Sequence, residues 1–188
     1  MAKFFGNLNL VLLAGFALLI AIVVLVQSGG FDANYLMRFL HVISGIMWIG
    51  HLYYFNFTQI PTMPKIPAEL KPGISKFIAP EALFWFRYGA LATLLTGLIV
   101  LGLKGYAKEA LSLQEGYRGI GVGMWLAFIM AFNVWFIIWP NQKRALGLVE
   151  ADDATKAKSA ITAMMFSRTN TLLSVPMLFG MVVQNLQA

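Results

Sequence analysis

The chain has 188 residues, of which 59% are hydrophobic, 12% are charged and none is cysteine. A soluble domain carries about 25% charged residues, so the composition indicates an integral membrane protein with one domain over residues 1–188. The lack of cysteine in this sequence excludes disulfides, iron–sulfur clusters and the attachment of c-type haem. The net charge of +6 does not indicate nucleic-acid binding, because most basic residues lie in short connections, where they orient a membrane protein.

Five apolar segments are long enough to span a bilayer, since about 20 apolar residues cover a hydrocarbon core of roughly 30 Å. We therefore predict an all-α fold, an integral membrane bundle of five transmembrane helices. The first segment is interpreted as an uncleaved span, because its apolar run is longer than that of a cleaved signal peptide. The connection "IPTMPKIPAELKPG" holds four prolines and is predicted to be non-helical. The predicted spans are residues 8–27, 35–57, 81–103, 119–140 and 160–185.

Lysine and arginine are divided unequally between the two sides of this predicted bundle. Eight fall on the side of the N-terminus and three fall on the other side. Cytoplasmic connections are enriched in these residues. The sequence therefore predicts a multi-pass protein of a bacterial-type inner (cytoplasmic) membrane, with a cytoplasmic N-terminus and an outer C-terminus.

Both histidines of the chain, His41 and His51, lie in the second predicted span. Ten helical residues separate them by about 15 Å along the axis and by about 80° around it. Two histidines so far apart cannot bind one metal ion. The spacing instead predicts two polar levels on one helix, one in each leaflet.

Arg87 and Arg168, in the third and fifth predicted spans, have no acidic partner at their depth. Arg87 and Arg168 fall near the level of His51, and Arg38 lies one turn outside His41. An arginine in hydrocarbon costs about 2.5 kcal/mol or more, so each should face protein, water or an anion. We therefore predict a polar pocket shared by His51, Arg87 and Arg168. Haem propionates or an anionic substrate would neutralise it, although snorkelling to the headgroups is an alternative for each arginine.

Neutral imidazole is a common axial ligand of haem iron, so the two levels favour haem b. Each level has one histidine, which leaves five-coordinate haem, a non-histidine sixth ligand, or a histidine from a second copy in a homo-oligomer. Gly45 and Gly50 would let such copies approach. The alternative is that each histidine only hydrogen-bonds a neighbouring helix. The candidate cofactor-binding residues are Arg38, His41, Trp48, His51, Arg87, Arg168 and Asn170, with His41 and His51 as iron ligands.

Three stretches carry a resemblance to a known family: "RFLHVISGIMWIGHLYYFNF", "FIAPEALFWFRYGALATLLTG" and "FSRTNTLLSVPMLFGM". They resemble motifs of the N-terminal membrane domain of membrane-bound urate oxidase (urate hydroxylase). A weaker similarity, of the second predicted span alone, is to the haem-dependent membrane protoporphyrinogen oxidase. Both resemblances imply a haem-associated redox protein of the membrane. The matching positions are His41, Trp48, Gly50, Trp85, Phe86, Arg87, Asn170, Leu173 and Pro176.

The chain departs from the urate oxidase pattern in one respect that bears on function. The family implies a longer membrane bundle followed by a cytochrome c domain, whereas this sequence has five predicted spans and no Cys-Xaa-Xaa-Cys-His motif. Three functions therefore remain as hypotheses. The first is a haem b protein that passes electrons, with a cytochrome or a quinone as partner, or that forms the membrane part of an oxidase. The second is an enzyme that oxidises urate or a porphyrin, and the third is a cofactor-free structural or assembly protein.

Overall fold

The structure is a computed structural model that describes residues 1–26 and 32–183. Every regular element in these two ranges is helical, which confirms the predicted all-α class. Contacts along the chain divide it into two compact units, Met1–Ala33 and Asn34–Ala188.

The first unit consists of a short N-terminal turn, Ala2–Phe5, and the long helix α1, Leu8–Val26. The Asn7 side chain begins α1, because its Oδ1 accepts the backbone N–H groups of Asn9 and Leu10. No residue of α1 is buried. Nineteen residues extend about 28 Å, so α1 is long and apolar enough to cross a membrane.

The second unit contains four long helices, which correspond to the other four predicted spans. They are α2, Ala33–Tyr53; α3, Lys71–Lys104; α4, Arg118–Ala145; and α5, Asp153–Val183. Among the residues described, α1, α3 and α4 have the length and composition to cross a membrane. Three of the five predicted spans thus have a length and composition compatible with crossing a membrane, whereas α2 and α5 are more polar.

The ends of these helices extend beyond the predicted boundaries. After Tyr53 the backbone continues as a π-helical segment, Tyr54–Gln59, and then as the single turns Ile60–Thr62 and Met63–Lys65. The prediction that the proline-rich connection is non-helical was therefore wrong in part, since residues 66–70 are not helical. Three of its four prolines, Pro61, Pro64 and Pro72, lie at the start of short helical turns, where the missing N–H has no intrahelical partner to lose.

Consecutive helices of the second unit run antiparallel. Helices α2 and α3 approach closely at Gly89, where an added Cβ would lie 3.0 Å from the backbone nitrogen of Trp48. Helices α4 and α5 approach in the same way at Gly123 and Gly180. Glycine is required at such crossings because two backbones cannot approach so closely with a side chain between them.

The core of the second unit lies between these two helix pairs. Its largest fully buried side chains are Trp48, Phe86, Leu52, Leu83 and Met130, each at most 1% exposed. The buried face of α5 is different, because it consists mostly of small and polar residues that recur every three or four positions. They are Ser159, Ala163, Ser167, Asn170, Ser174, Met177 and Gly180.

Candidate functional site

A cavity of about 620 Å³ lies among the four helices of the second unit. Its polar lining comes from α2, from α3 and from the connection that follows α3, whereas α4 and α5 contribute an apolar wall. Val42 and Ile46 line it and are also more than half exposed, so the cavity opens to the surface of this unit. The polar and aromatic lining residues are Arg38, His41, Trp48, Thr93 and Tyr106, and the wall includes Ile120, Met124, Ala127, Phe128, Met177, Leu178, Met181 and Val182.

The His41 imidazole is fixed by a hydrogen bond from α2 to the backbone of α3. Its Nδ1 lies 2.9 Å from the carbonyl oxygen of Thr93 and 3.3 Å from Oγ1 of Thr96. Because a carbonyl oxygen can only accept, Nδ1 carries the hydrogen. The other ring nitrogen, Nε2, therefore holds the lone pair of the neutral imidazole, which is the arrangement that a metal-ligating histidine requires.

A line of small residues on α3 makes room for this contact. A Cβ at Gly97 would lie 2.9 Å from Cε1 of His41, so the ring packs directly on the glycine. Thr93 lies in the same narrow groove. Its hydroxyl donates to the carbonyl of Gly89, one turn earlier on the same helix, so this polar group has a partner there. Gly89, Thr93 and Gly97 are spaced four residues apart, as expected for one face of a helix.

Sequence reasoning missed Gly97 and Thr93, although the "small-xxx-small" pattern of "GALATLLTG" was a usable signal. That pattern marks the side of a helix that another helix approaches. It does not reveal which residue of the partner helix is in register, so the contact with His41 was visible only in the structure.

Two further lining groups give the cavity its polar character. The indole of Trp48 is completely buried, and its Nε1 donor has no acceptor within the described part of the chain. Such unsatisfied buried donors are rare, and each calls for an explanation. Arg38, by contrast, is exposed at the margin of the cavity. Trp48 thus lines the cavity and carries a donor that has no partner in the described residues.

Tyr106 lies in the connection between α3 and α4, where its ring packs 5.2 Å from that of Tyr117. Burial raises the pKa of the Tyr106 phenol, and the positive charge of Arg38 acts in the opposite direction. The phenol is consequently protonated at neutral pH. A hydroxyl donor and a guanidinium therefore lie near each other at the cavity.

The second histidine has different surroundings from the first. Nδ1 of His51 donates to the carbonyl of Met47, one turn earlier on its own helix, at 2.7 Å. His51 is half-buried and is not among the residues that line the cavity. The two imidazoles have the same tautomer, but only His41 combines it with a ligand-sized space.

The structure does not bring His51, Arg87 and Arg168 into one polar pocket. No hydrogen bond joins His51 to either arginine in residues 1–26 and 32–183. The Arg87 guanidinium carbon lies 3.4 Å from the centre of the Trp139 ring, and Arg168 is exposed. The prediction rested on depth along the helix axes, and residues at the same depth can point in different directions around their helices. The three side chains therefore do not meet.

Asn170 has a packing environment that is distinct from the cavity. Its fully buried side chain accepts a hydrogen bond from Nδ2 of Asn133 at 2.8 Å and donates to the carbonyl of Met130 at 2.9 Å. Both partners belong to α4. The Asn170 amide therefore joins α5 to α4, and its predicted contact with a cofactor has no support from its position.

The residues of the cavity fit the single-histidine form of haem ligation. In the described ranges no group of three or more His, Asp or Glu residues could hold a metal ion, so His41 does not belong to a metal site of that kind. A porphyrin supplies four nitrogen ligands itself, so one imidazole suffices. The apolar wall, the unpaired Trp48 donor and the nearby Arg38 also suit a large apolar ligand with anionic groups.

Residues 117–187 match the sequence model of the family described as urate oxidase N-terminal. No curated protein and no solved structure matches the chain. The match supports the resemblance predicted from the motifs, whereas the similarity to protoporphyrinogen oxidase is not supported by any comparison. Over residues 117–187, a range that includes α4 and α5, the chain carries the sequence pattern of the urate oxidase N-terminal family.

Proposed function

We propose that the protein is a membrane-embedded haem b protein that transfers electrons or forms the membrane part of an oxidase, with His41 as an axial ligand of the iron. The observation that carries this proposal is the Nδ1 hydrogen bond of His41 to the Thr93 carbonyl. It leaves Nε2 able to bind a metal, in a side chain that lines a cavity of about 620 Å³.

The surroundings of His41 support this role chemically. A backbone acceptor on Nδ1 holds the ring orientation and increases the basicity of Nε2. The apolar wall from α4 and α5 would cover a porphyrin face, and such apolar contacts would help to hold haem without a covalent attachment. Arg38, together with the Tyr106 hydroxyl, would bind propionate groups by charge-assisted hydrogen bonds.

We consider three arrangements of the iron ligands. In the first, one of Met124, Met177 and Met181, which belong to the wall, would be a second protein ligand, and its thioether would raise the reduction potential of the haem. The second arrangement is five-coordinate haem. The third is a homo-oligomer, in which the open side beside Val42 and Ile46 would receive a second copy.

Measuring haem in the full chain, purified in a neutral detergent from cells supplied with a haem precursor, tests the proposal. A pyridine haemochrome assay should give about one haem b per chain. The ferric spectrum then separates the ligation states, because low-spin iron requires a strong sixth ligand and high-spin iron leaves one face open. Protein that contains no haem, and binds none when haem is added, would contradict the proposal.

An enzyme that oxidises urate or a porphyrin is the second candidate function, and the family match over residues 117–187 supports only the urate form of it. A volume of about 620 Å³ lies within the range of small-molecule sites, roughly 300–1,000 Å³. In this function the unpaired Trp48 donor and Arg38 would bind an anionic substrate. Turnover of urate or a porphyrinogen by purified protein with an artificial electron acceptor distinguishes this enzyme from an electron carrier. Haem-free protein without turnover would favour the structural role.

A further inference from the structure

A second group of polar side chains without partners lies between α3 and α4, away from the residues of the His41 cavity. The Arg87 guanidinium stacks on the Trp139 ring at 3.4 Å, and Nζ of Lys143 lies 5.5 Å from the centre of the same ring. Tyr88 is within 6 Å of both Arg87 and the Trp135 ring. We call these five residues, Arg87, Tyr88, Trp135, Trp139 and Lys143, the Arg87 cluster.

Two hydrogen-bond donors of this cluster are buried without an acceptor. They are Nη1 of Arg87 and Nε1 of Trp135. Stacking on Trp139 stabilises the partly buried guanidinium, but it leaves Nη1 without an acceptor. A buried donor without an acceptor is destabilising, and more so when it is charged. The arrangement therefore calls for an acceptor from outside the chain.

The cluster also has an unbalanced charge. No ion pair involves Arg87 or Lys143 in the described ranges, where Lys156 pairs with Asp153. The acid nearest to Arg87 along α3 is Glu81, and its carboxylate accepts a hydrogen bond from the Trp85 indole instead. Two cations and a neutral donor thus share one side of the α3–α4 pair without an opposing carboxylate.

We propose that the Arg87 cluster binds the phosphate group of an anionic phospholipid. A bidentate guanidinium and an indole N–H suit phosphate oxygens, and basic sites between membrane helices recognise lipid headgroups in this way. A lipid suits the site better than a soluble anion because large apolar side chains on the same two helices are exposed beside the cluster. They are Phe84, Leu91, Phe132 and Phe136, and they would contact acyl chains.

Native mass spectrometry of the full chain in a neutral detergent tests this site, with dioctanoyl phosphatidylglycerol as the ligand. The parent protein should bind one molecule of phosphatidylglycerol. Its affinity for this lipid should be at least tenfold higher than its affinity for the phosphatidylcholine of equal chain length. Arg87→Gln should weaken phosphatidylglycerol binding at least tenfold. Trp135→Phe keeps an aromatic ring and removes one donor, so it should weaken binding severalfold, and it provides the test if Arg87→Gln does not fold.

The matched control is Arg168→Gln, since Arg168 is an exposed arginine of α5 outside the cluster. Its affinity for phosphatidylglycerol should stay within about twofold of the parent value. Unchanged binding in both cluster variants would overturn the site, as would equal binding of the two lipids. Inorganic phosphate is also added as a competitor at the concentration used for phosphatidylglycerol. If it displaced the lipid at that concentration, the site would be a free-anion site, and the lipid assignment would be overturned. None of these results depends on whether the chain holds haem.

Discussion

The two helix pairs of the second unit differ in what their contacts do. Between α2 and α3, the contact places an imidazole on a glycine and leaves a cavity beside it. Between α4 and α5, the contact is closed by Gly123 and Gly180 and by the buried hydrogen bond of Asn133 to Asn170. The first contact presents groups that could bind a ligand, whereas the second pairs the buried amides of Asn133 and Asn170 with each other.

This difference bears on what the family match can imply. The matched range, residues 117–187, covers the α4–α5 pair, whereas the polar groups of the cavity come from α2, from α3 and from the connection that follows α3. The match does not by itself identify a substrate, because the polar side chains that could bind one lie outside the matched range.

The largest expected effect comes from filling the groove between α2 and α3. Gly97→Val would place methyl groups where the His41 ring lies, since even a Cβ there is 2.9 Å from Cε1. We expect the imidazole to be displaced and the haem content to fall at least tenfold. Gly102→Val is the control, because a Cβ at Gly102 meets nothing within 4 Å. Equal haem contents in the two variants would show that the groove does not position the ligand.

In the α4–α5 pair the corresponding substitution should change stability. A Cβ at Gly180 would lie 2.6 Å from the carbonyl oxygen of Gly119 and 3.0 Å from the nitrogen of Gly123. Because both are backbone atoms, the helices must separate, and Gly180→Ala should reduce the free energy of unfolding by about 1–3 kcal/mol. Thermal or denaturant unfolding in detergent measures it, with Gly102→Ala as the control. No loss of stability relative to that control would contradict the close contact.

Removing the buried amide pair should have a smaller effect of the same kind. Asn170→Ala leaves Nδ2 of Asn133 without its acceptor in a buried position. Hydrogen bonds between membrane helices are worth about 1–2 kcal/mol in model peptides, and we expect a loss of that size. A double-mutant cycle with Asn133→Ala isolates the pair. A coupling energy of zero would mean that the two amides do not support each other.

The smallest expected effect concerns the start of α5. The carboxylate of Asp152 accepts the backbone N–H and the hydroxyl of Thr155, and these hydrogen bonds lower its pKa. A lowered pKa stabilises the fold above the unfolded-state value, and this stabilisation is lost as the pH falls through the folded-state value. The parent should therefore lose slightly more stability on acidification than Asp152→Ala. The check is the unfolding midpoint of each protein as a function of pH. If the midpoints of the parent and of Asp152→Ala changed equally with pH, the capping role would be contradicted.

The helices themselves were largely predictable from the sequence, for a simple physical reason. Burial in lipid or in the core requires long apolar runs, and such runs located all five long helices. Their ends were less predictable, because π-helical turns and prolines at first positions extend a helix without an apolar signal. The position of a residue along its helix axis could also be estimated from the sequence, because each helical residue adds a fixed rise.

The arrangement of the site was only partly predictable. Asn170 and Arg168 are two residues apart on α5, yet one is completely buried and the other is exposed. Rotation around a helix axis depends on which neighbour packs against it, and that contact is between distant parts of the chain. His41 and His51 looked equivalent in the sequence for the same reason, although Gly97 gives only His41 an interhelical contact through its ring.

The most direct test of the central claim is the haem content of His41→Ala compared with that of His51→Ala, with both proteins purified as the full chain alongside the parent. We expect His41→Ala to lose its haem, and to regain a Soret band when imidazole and haem are added together. His51→Ala should keep the parent haem content, since its ring does not line the cavity. A His41→Ala protein with the full haem content of the parent, or a parent protein that binds no haem, would contradict the account.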